Sequence, residues 1–264
     1  MHFRRWMLPV AGAMAIAAPV TAQFQPVKPA TAADYQALAK LPDWSGTWQP
    51  DWSALFSGRG GRVPDKPPLA PAAQKAVDDY TAKQKQGQNL QSEMANCVPP
   101  GMPQIMRMPY PIEFLFTPGR VTIGIETESQ VRRIYTDGRP LPEDPDPAYN
   151  GSSVGHWEGD TLVVDTVGLN PNTSIVAGLH PTENTRINER FHLDKPDLLV
   201  LTTTITDPAL FTKPFVQVTP YVRKRDWQIR EYVCQENNRD AADPFGRPSM
   251  NIDEEPAAAT PPAK

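Results

Sequence analysis

From Pro109 onward the chain is a succession of short segments with apolar residues at alternate positions, each broken by a turn. Ile112 to Phe116 runs through Thr117-Pro118-Gly119-Arg120 into Val121 to Glu126, and Gln130 to Thr136 ends at Asp137-Gly138-Arg139. Ser153 to Trp157 turns at Glu158-Gly159-Asp160 into Thr161 to Val167. Thr185 to Leu193 turns at Asp194 to Asp197 into Leu198 to Thr206. Phe215 to Arg223 turns at Lys224 to Asp226 into Trp227 to Glu236. Two β-rich runs around a short turn form the hairpin pattern. A long row of hairpin-linked strands curls and closes, because closure removes unpaired edges. The expected fold is all-β: an antiparallel meander of eight to ten strands, closed or strongly curled, with one peripheral helix and long proline-rich loops. A two-sheet sandwich is the competing arrangement.

The first part of the chain reads differently. Met1 to Ala22 has Arg4 and Arg5, then an apolar run to Val20, then the small residue Ala22, the pattern of a cleaved export signal. The ordinary Sec route is expected over the twin-arginine route, and the periplasm is the expected location. Residues 23–42 form a linker with a short helix at Ala32 to Lys40, which Thr31 can cap. Residues 43–238 form one barrel-like domain that includes a helix at Ala70 to Asn96, and residues 239–264 form a flexible tail. Asp43 to Trp48 reads as an opening strand with two tryptophans. Ser57 to Arg62 is glycine-rich but lacks the Lys-Ser/Thr ending and following helix of a phosphate loop.

Composition excludes several classes. A net charge of −4 with no basic stripe argues against nucleic acid. No apolar stretch after the signal approaches a membrane span, so no insertion is expected once the signal is removed. Two cysteines, Cys97 and Cys234, are the even count that favours a disulfide in an exported chain. The long loop it would close corresponds to roughly 4–5 kcal/mol in the chain-entropy account.

Candidate chemistry is sparse. His156, His180 and His192 show no metal-ligand spacing, and no metal or cofactor is expected. His156 and His192 alternate with large apolar neighbours and should face solvent. His180 sits in a loop between two strands, where a histidine serves as a proton carrier or as an ordinary surface residue. Glu189 shares a strand face with Ile187, Phe191 and Leu193. Were that face internal, its charge would need a partner, for example Arg133 with Glu189 or Glu231. Such a pair either fixes strand register or tunes a carboxylate for general-base work. The candidate catalytic set is therefore His180, Glu189, Arg133 and Arg186. The candidate ligand contacts are Tyr135, Trp157, Met106 and Met108, although the methionines equally suit a plug at one end of the barrel.

Four blocks carry a resemblance. They are Cys97 to Pro103, Pro109 to Phe114, Arg133 to Arg139, and Gly155-His156-Trp157-Glu158-Gly159-Asp160-Thr161-Leu162-Val163-Val164-Asp165-Thr166. With them the chain resembles a large group of uncharacterised exported proteins of Gram-negative bacteria, over about Trp44 to Asn237. The resemblance implies export and transfers no catalytic residue. Gly46-Thr47-Trp48 also resembles the Gly-x-Trp opening of lipocalin-like barrels. The expected function is binding of a small, mostly apolar aromatic or terpenoid molecule in an interior or mouth pocket. The alternatives are a cofactor-independent lyase, isomerase or hydrolase acting on such a compound by proton transfer, and an envelope interaction protein.

Overall fold

The computed structural model describes residues 29–51, 66–86, 97–176 and 178–234. The expected export signal, the glycine-rich loop at 57–62, residues 87–96 of the expected long helix and the tail lie outside them.

Nine strands close into a barrel in chain order. They are β1 (Thr47–Pro50), β2 (Ile112–Thr117), β3 (Arg120–Ile125), β4 (Gln130–Tyr135), β5 (Ser152–Glu158), β6 (Thr161–Val167), β7 (Arg186–Lys195), β8 (Leu198–Thr206) and β9 (Phe215–Lys224). β9 returns to pair with β1 and so completes the ring. The turn-separated segments thus form the expected all-β barrel.

Three local readings change. One seam is parallel: β4 meets β5 through Ile134↔Ser153 and Tyr135↔Val154. Between these strands lie 16 residues, stiffened by four prolines, and a parallel pair needs a connection of about a dozen or more. The expected strand at Trp227 to Glu236 does not form among the described residues, for 227–233 have no ladder pairing. β1 already covers that edge of β9, from Thr47↔Lys224 to Pro50↔Tyr221, so no open edge remains to recruit another strand. The opening strand begins at Thr47 rather than Asp43, which frees Trp44 from the ladder.

Trp44 instead plugs the barrel. Its ring centroid lies 5.0 Å from Phe114, 5.6 Å from Phe116, 5.3 Å from Trp157 and 6.2 Å from Phe191. Its carbonyl accepts a bond from Trp48 Nε1 at 3.0 Å. The rest of the interior follows strand parity. Val121, Ile123 and Ile125 of β3 point in, as do Leu199, Leu201, Thr203 and Ile205 of β8. Met102, Ile105 and Met106, from the turn before β2, are fully buried in the same core, which is the plugging role anticipated for this segment.

The helices lie outside. α1 (Ala32–Leu38) has a reciprocal cap between Thr31 and Asp34 and buries nothing. α2 (Pro71–Lys85) buries only Ala73 fully, as its thin apolar side implies. It rests against the loop after β6. A Cβ on Gly178, at φ +79°, would come within 2.8 Å of the Tyr80 side chain.

An ion-pair latch secures the β1–β9 closure. Arg223 donates from Nη1 to Asp43 Oδ2 at 3.1 Å and from Nη2 to the Asp43 carbonyl at 2.6 Å. Its guanidinium covers the Trp48 ring at 4.5 Å, and Asp197 Oδ1 lies 3.4 Å from its Nε. Hydrogen bonds from Ser45, then Arg223, lower the Asp43 carboxyl to about 2. A depressed carboxylate stabilises the fold above its unfolded value of about 3.9 and loses that contribution as pH falls through its folded value. Asp43→Asn should therefore unfold more readily than the parent at pH 6. The gap should close between about pH 4 and pH 2. Asp43 is largely exposed, so the effect should stay below about 1 kcal/mol. Thermal denaturation across that window checks it, and an offset that does not change with pH would contradict it.

Candidate functional site

The most concentrated polar chemistry lies inside the barrel. Glu189 of β7 has no exposure and Arg132 of β4 has almost none. Arg132 Nη1 donates to Glu189 Oε1 at 3.0 Å, and Nη2 makes a second, shorter bond to Oε2. Nη2 also reaches Ser153 Oγ at 3.2 Å and Thr166 Oγ1 at 3.0 Å, while the two hydroxyls bond each other at 2.9 Å. Tyr221 borders this cluster, and its hydroxyl donates to the Met106 carbonyl. Burial raises the Tyr221 phenol far above its ordinary pKa, and the charge of Glu189 adds to the shift. Large side chains fill the surrounding space: Trp44, Trp48, Phe191, Met102 and Tyr221 are all at or below 2% exposure. The pair is doubly bonded and fully enclosed, which is the partnering that an inward-facing charge requires.

The partner of Glu189 is Arg132, and the expected Arg133 points outward and is exposed. The cause is register. Antiparallel neighbours share a face, and β3 places Val121 and Ile123 inside opposite Ile134 and Arg132. Glu231 lies outside any strand and is exposed, so it does not contribute an internal charge.

The other anticipated residues do not converge on Glu189. His180 is exposed and donates from Nδ1 to the Thr173 carbonyl at 2.9 Å. Arg186 is exposed, and its Nη1 bonds the carbonyls of Glu183 (2.8 Å) and Thr185 (3.1 Å). Tyr135 is half-buried beneath the Arg139 guanidinium, 3.9 Å from its ring centre. Trp157 is half-buried and packs on Trp44 and Phe116 at the barrel end. Met106 is buried in the core and Met108 is half-buried. His156, 60% exposed, pairs with Glu158 at 3.2 Å, and His192 is half-buried. Cys97 and Cys234 form a disulfide across a separation of 137 residues, with Cα atoms 5.5 Å apart.

A different place has the shape of a site. A groove of about 590 Å³ opens on the outside of the barrel. One wall is Pro109, Tyr110 and Pro111, in the approach to β2. The other is the arm after β9, Asp226 to Arg230, and Gln49 of β1 and Glu126 complete the lining. The arm follows an irregular path held by side chains. Thr47 Oγ1 donates to the Trp227 carbonyl at 3.0 Å, and the Arg230 amide donates to Glu126 Oε2 at 2.9 Å. Ser129 Oγ accepts from the Tyr232 amide at 3.2 Å and donates to the Tyr232 carbonyl at 3.3 Å. Tyr232 packs against Tyr110 with ring centres 5.3 Å apart, and burial, then the bond to Tyr110, raises its phenol pKa. Trp227 stays 43% exposed, with Lys224 Nζ 5.4 Å from its ring.

None of the anticipated site residues lines this groove. Tyr110 and Trp227 were legible as large aromatics beside prolines and a turn. Trp227 lies in the groove lining because its segment leaves the ladder that the sequence pattern predicts for it. Among the described residues, no group of three or more His, Cys, Asp or Glu side chains is placed to hold a metal ion.

These features define a disulfide-tied, nine-stranded barrel with a filled interior and an external aromatic groove. No protein-family model matches the chain, and no curated protein matches it.

Proposed function

We propose that this is an exported binding protein for a small, mostly apolar molecule bearing an aromatic or fused-ring portion, which it takes in the outer groove. The observation that carries the reading is the groove itself. Its volume of about 590 Å³ falls in the range of small-molecule sites, roughly 300–1,000 Å³. Its lining combines flat apolar surface from Tyr110, Trp227, Pro109, Pro111 and Ile229 with a few polar groups that can orient a ligand. An exposed tryptophan beside a concave apolar wall is costly to leave in water and rewarding to cover. The packed barrel centre supports an external seat over an interior one. The signal-like start, the disulfide and the resemblance to exported Gram-negative proteins support the periplasm. No described helix is long and apolar enough to cross a membrane.

The neutral fluorophore N-phenyl-1-naphthylamine tests the reading. Its emission should rise saturably with the protein. Trp227→Ala should weaken binding about 5- to 30-fold, corresponding to about 1–2 kcal/mol for a lost stacking surface. His180→Ala, outside the groove, should change affinity less than twofold. Binding that is absent, or that ignores Trp227→Ala, would exclude the groove as the seat.

A further inference from the structure

Five of the ten residues lining the groove belong to the arm after β9. The barrel does not need that arm, because β9 has already closed on β1 at Lys224. Nor does the arm hold itself in place. Arg225 to Gln228, Arg230 and Glu231 are exposed, and no ladder pairing runs through residues 227–233. At its root Arg225 pairs with Asp197 at 2.5 Å and the Trp227 amide bonds the Lys224 carbonyl. Beyond that turn its attachments include the side-chain and amide bonds to Thr47, Glu126 and Ser129, the Tyr232 contact and bond with Tyr110, and the disulfide at its end.

Backbone conformation points to the same places. Among the described residues three non-glycines have positive φ: Cys97 (55°), Glu128 (51°) and Ser129 (49°). Cys97 is the disulfide partner of Cys234, and Ser129 makes both bonds to Tyr232. Glu128 is next to Ser129, half-buried, and desolvation raises its carboxyl pKa. Left-handed backbone at such residues persists where the surroundings impose it, and it gathers at functional sites. Here it gathers where the arm is fastened.

We infer that the Cys97–Cys234 disulfide assembles the groove: the arm takes up its wall position only in the oxidised chain, so ligand binding is conditional on oxidation. This rests on the groove reading above. On oxidation the two thiols lose two protons and two electrons to a disulfide-bearing oxidant, whose own S–S bond opens to two thiols. A dithiol reductant reverses the exchange. The groove is then absent from the reduced chain and appears once the protein has reached an oxidising compartment. By linkage, a bound ligand protects the disulfide from reduction by the same factor that the disulfide strengthens binding.

Hydrogen exchange on the full chain tests this directly, comparing the oxidised protein with the same protein reduced after folding and with the Cys97→Ser/Cys234→Ser variant. N-phenyl-1-naphthylamine titrations run in parallel. The amides of Arg230 and Tyr232 should exchange at least tenfold faster in the reduced protein, while β7 to β9 keep their protection. Probe affinity should fall at least tenfold. Unchanged exchange at Arg230 and Tyr232 overturns the inference. So does an equal loss of protection throughout the barrel, because the bond would then staple the whole fold. Should the arm loosen while the probe binds neither form, the clamp stands and the ligand reading of the groove fails.

Discussion

Glu189→Ala should lower the stability of the barrel by about 3–5 kcal/mol, the range for removing one partner of a buried pair. The guanidinium of Arg132 would remain enclosed with no carboxylate to compensate it. Ser153 and Thr166 offer only hydroxyl oxygens, already bonded to Arg132 and to each other. For a chain of this size each kcal/mol moves the melting temperature by about 2–4 °C, so the midpoint should drop by about 6–20 °C. Arg132→Ala should cost a similar amount, since it strands the carboxylate. Arg132→Met combined with Glu189→Leu should recover most of the loss, because two apolar side chains of comparable volume need no partner. Chemical and thermal denaturation of the three variants check the series. A double variant less stable than either single one would show that the pair supplies net stability beyond mutual compensation.

Trp44→Ala should cost about 3–5 kcal/mol, the usual penalty for emptying a large aromatic position in a core. Trp44 is 2% exposed and touches Phe114, Phe116, Trp157 and Phe191, so its removal opens a hole bordered by four aromatic rings. Its indole Nε1 has no bonding partner among the described residues, so the loss is one of packing alone. Trp44→Phe, which keeps a ring in the plug, should cost less than half as much. Trp227→Ala, the groove substitution, should barely alter the melting temperature because that ring is 43% exposed. Near-ultraviolet circular dichroism should also separate the two, with the packed rings of the plug losing signal in Trp44→Ala only. A mild Trp44→Ala would mean that neighbouring rings collapse into the space.

Much of the barrel could be read from alternation and turns. β2, β3, β4, β5, β6, β7, β8 and β9 each lie within two residues of the segment that predicts them. The polar interior was partly legible too. Glu189 lies among Ile187, Phe191 and Leu193 at period two, so an inward carboxylate needing a cation followed from parity. Which arginine it meets did not follow from β4 alone. In Val131-Arg132-Arg133-Ile134 either parity puts an arginine inside. Extending the apolar alternation of β3 across the hairpin would have selected Arg132, because facing residues share a side.

The candidate site was far less legible. His180 stood out because histidine in a loop is chemically versatile, yet its ring is bonded to the Thr173 carbonyl on the surface. The groove has no local signature. Tyr110 and Trp227 are more than a hundred residues apart, and neither belongs to a recognised motif. They line one groove only because β1 claims the edge of β9 and turns the remaining chain aside.

What the order of amino acids settles alone is whatever acts within one or two neighbouring segments. That includes the period-two strands, the turns between them, the capped helix at Ala32, the even cysteine pair and the single acid facing inward on β7. What needed the folded molecule is whatever depends on competition among distant segments: β1 completing the ring, Trp44 leaving its strand to become the plug, and the arm displaced into a groove wall. Local preference is a property of side chains and their nearest neighbours. Closure depends instead on which of several similar strands reaches an edge, and only the assembled core makes that choice.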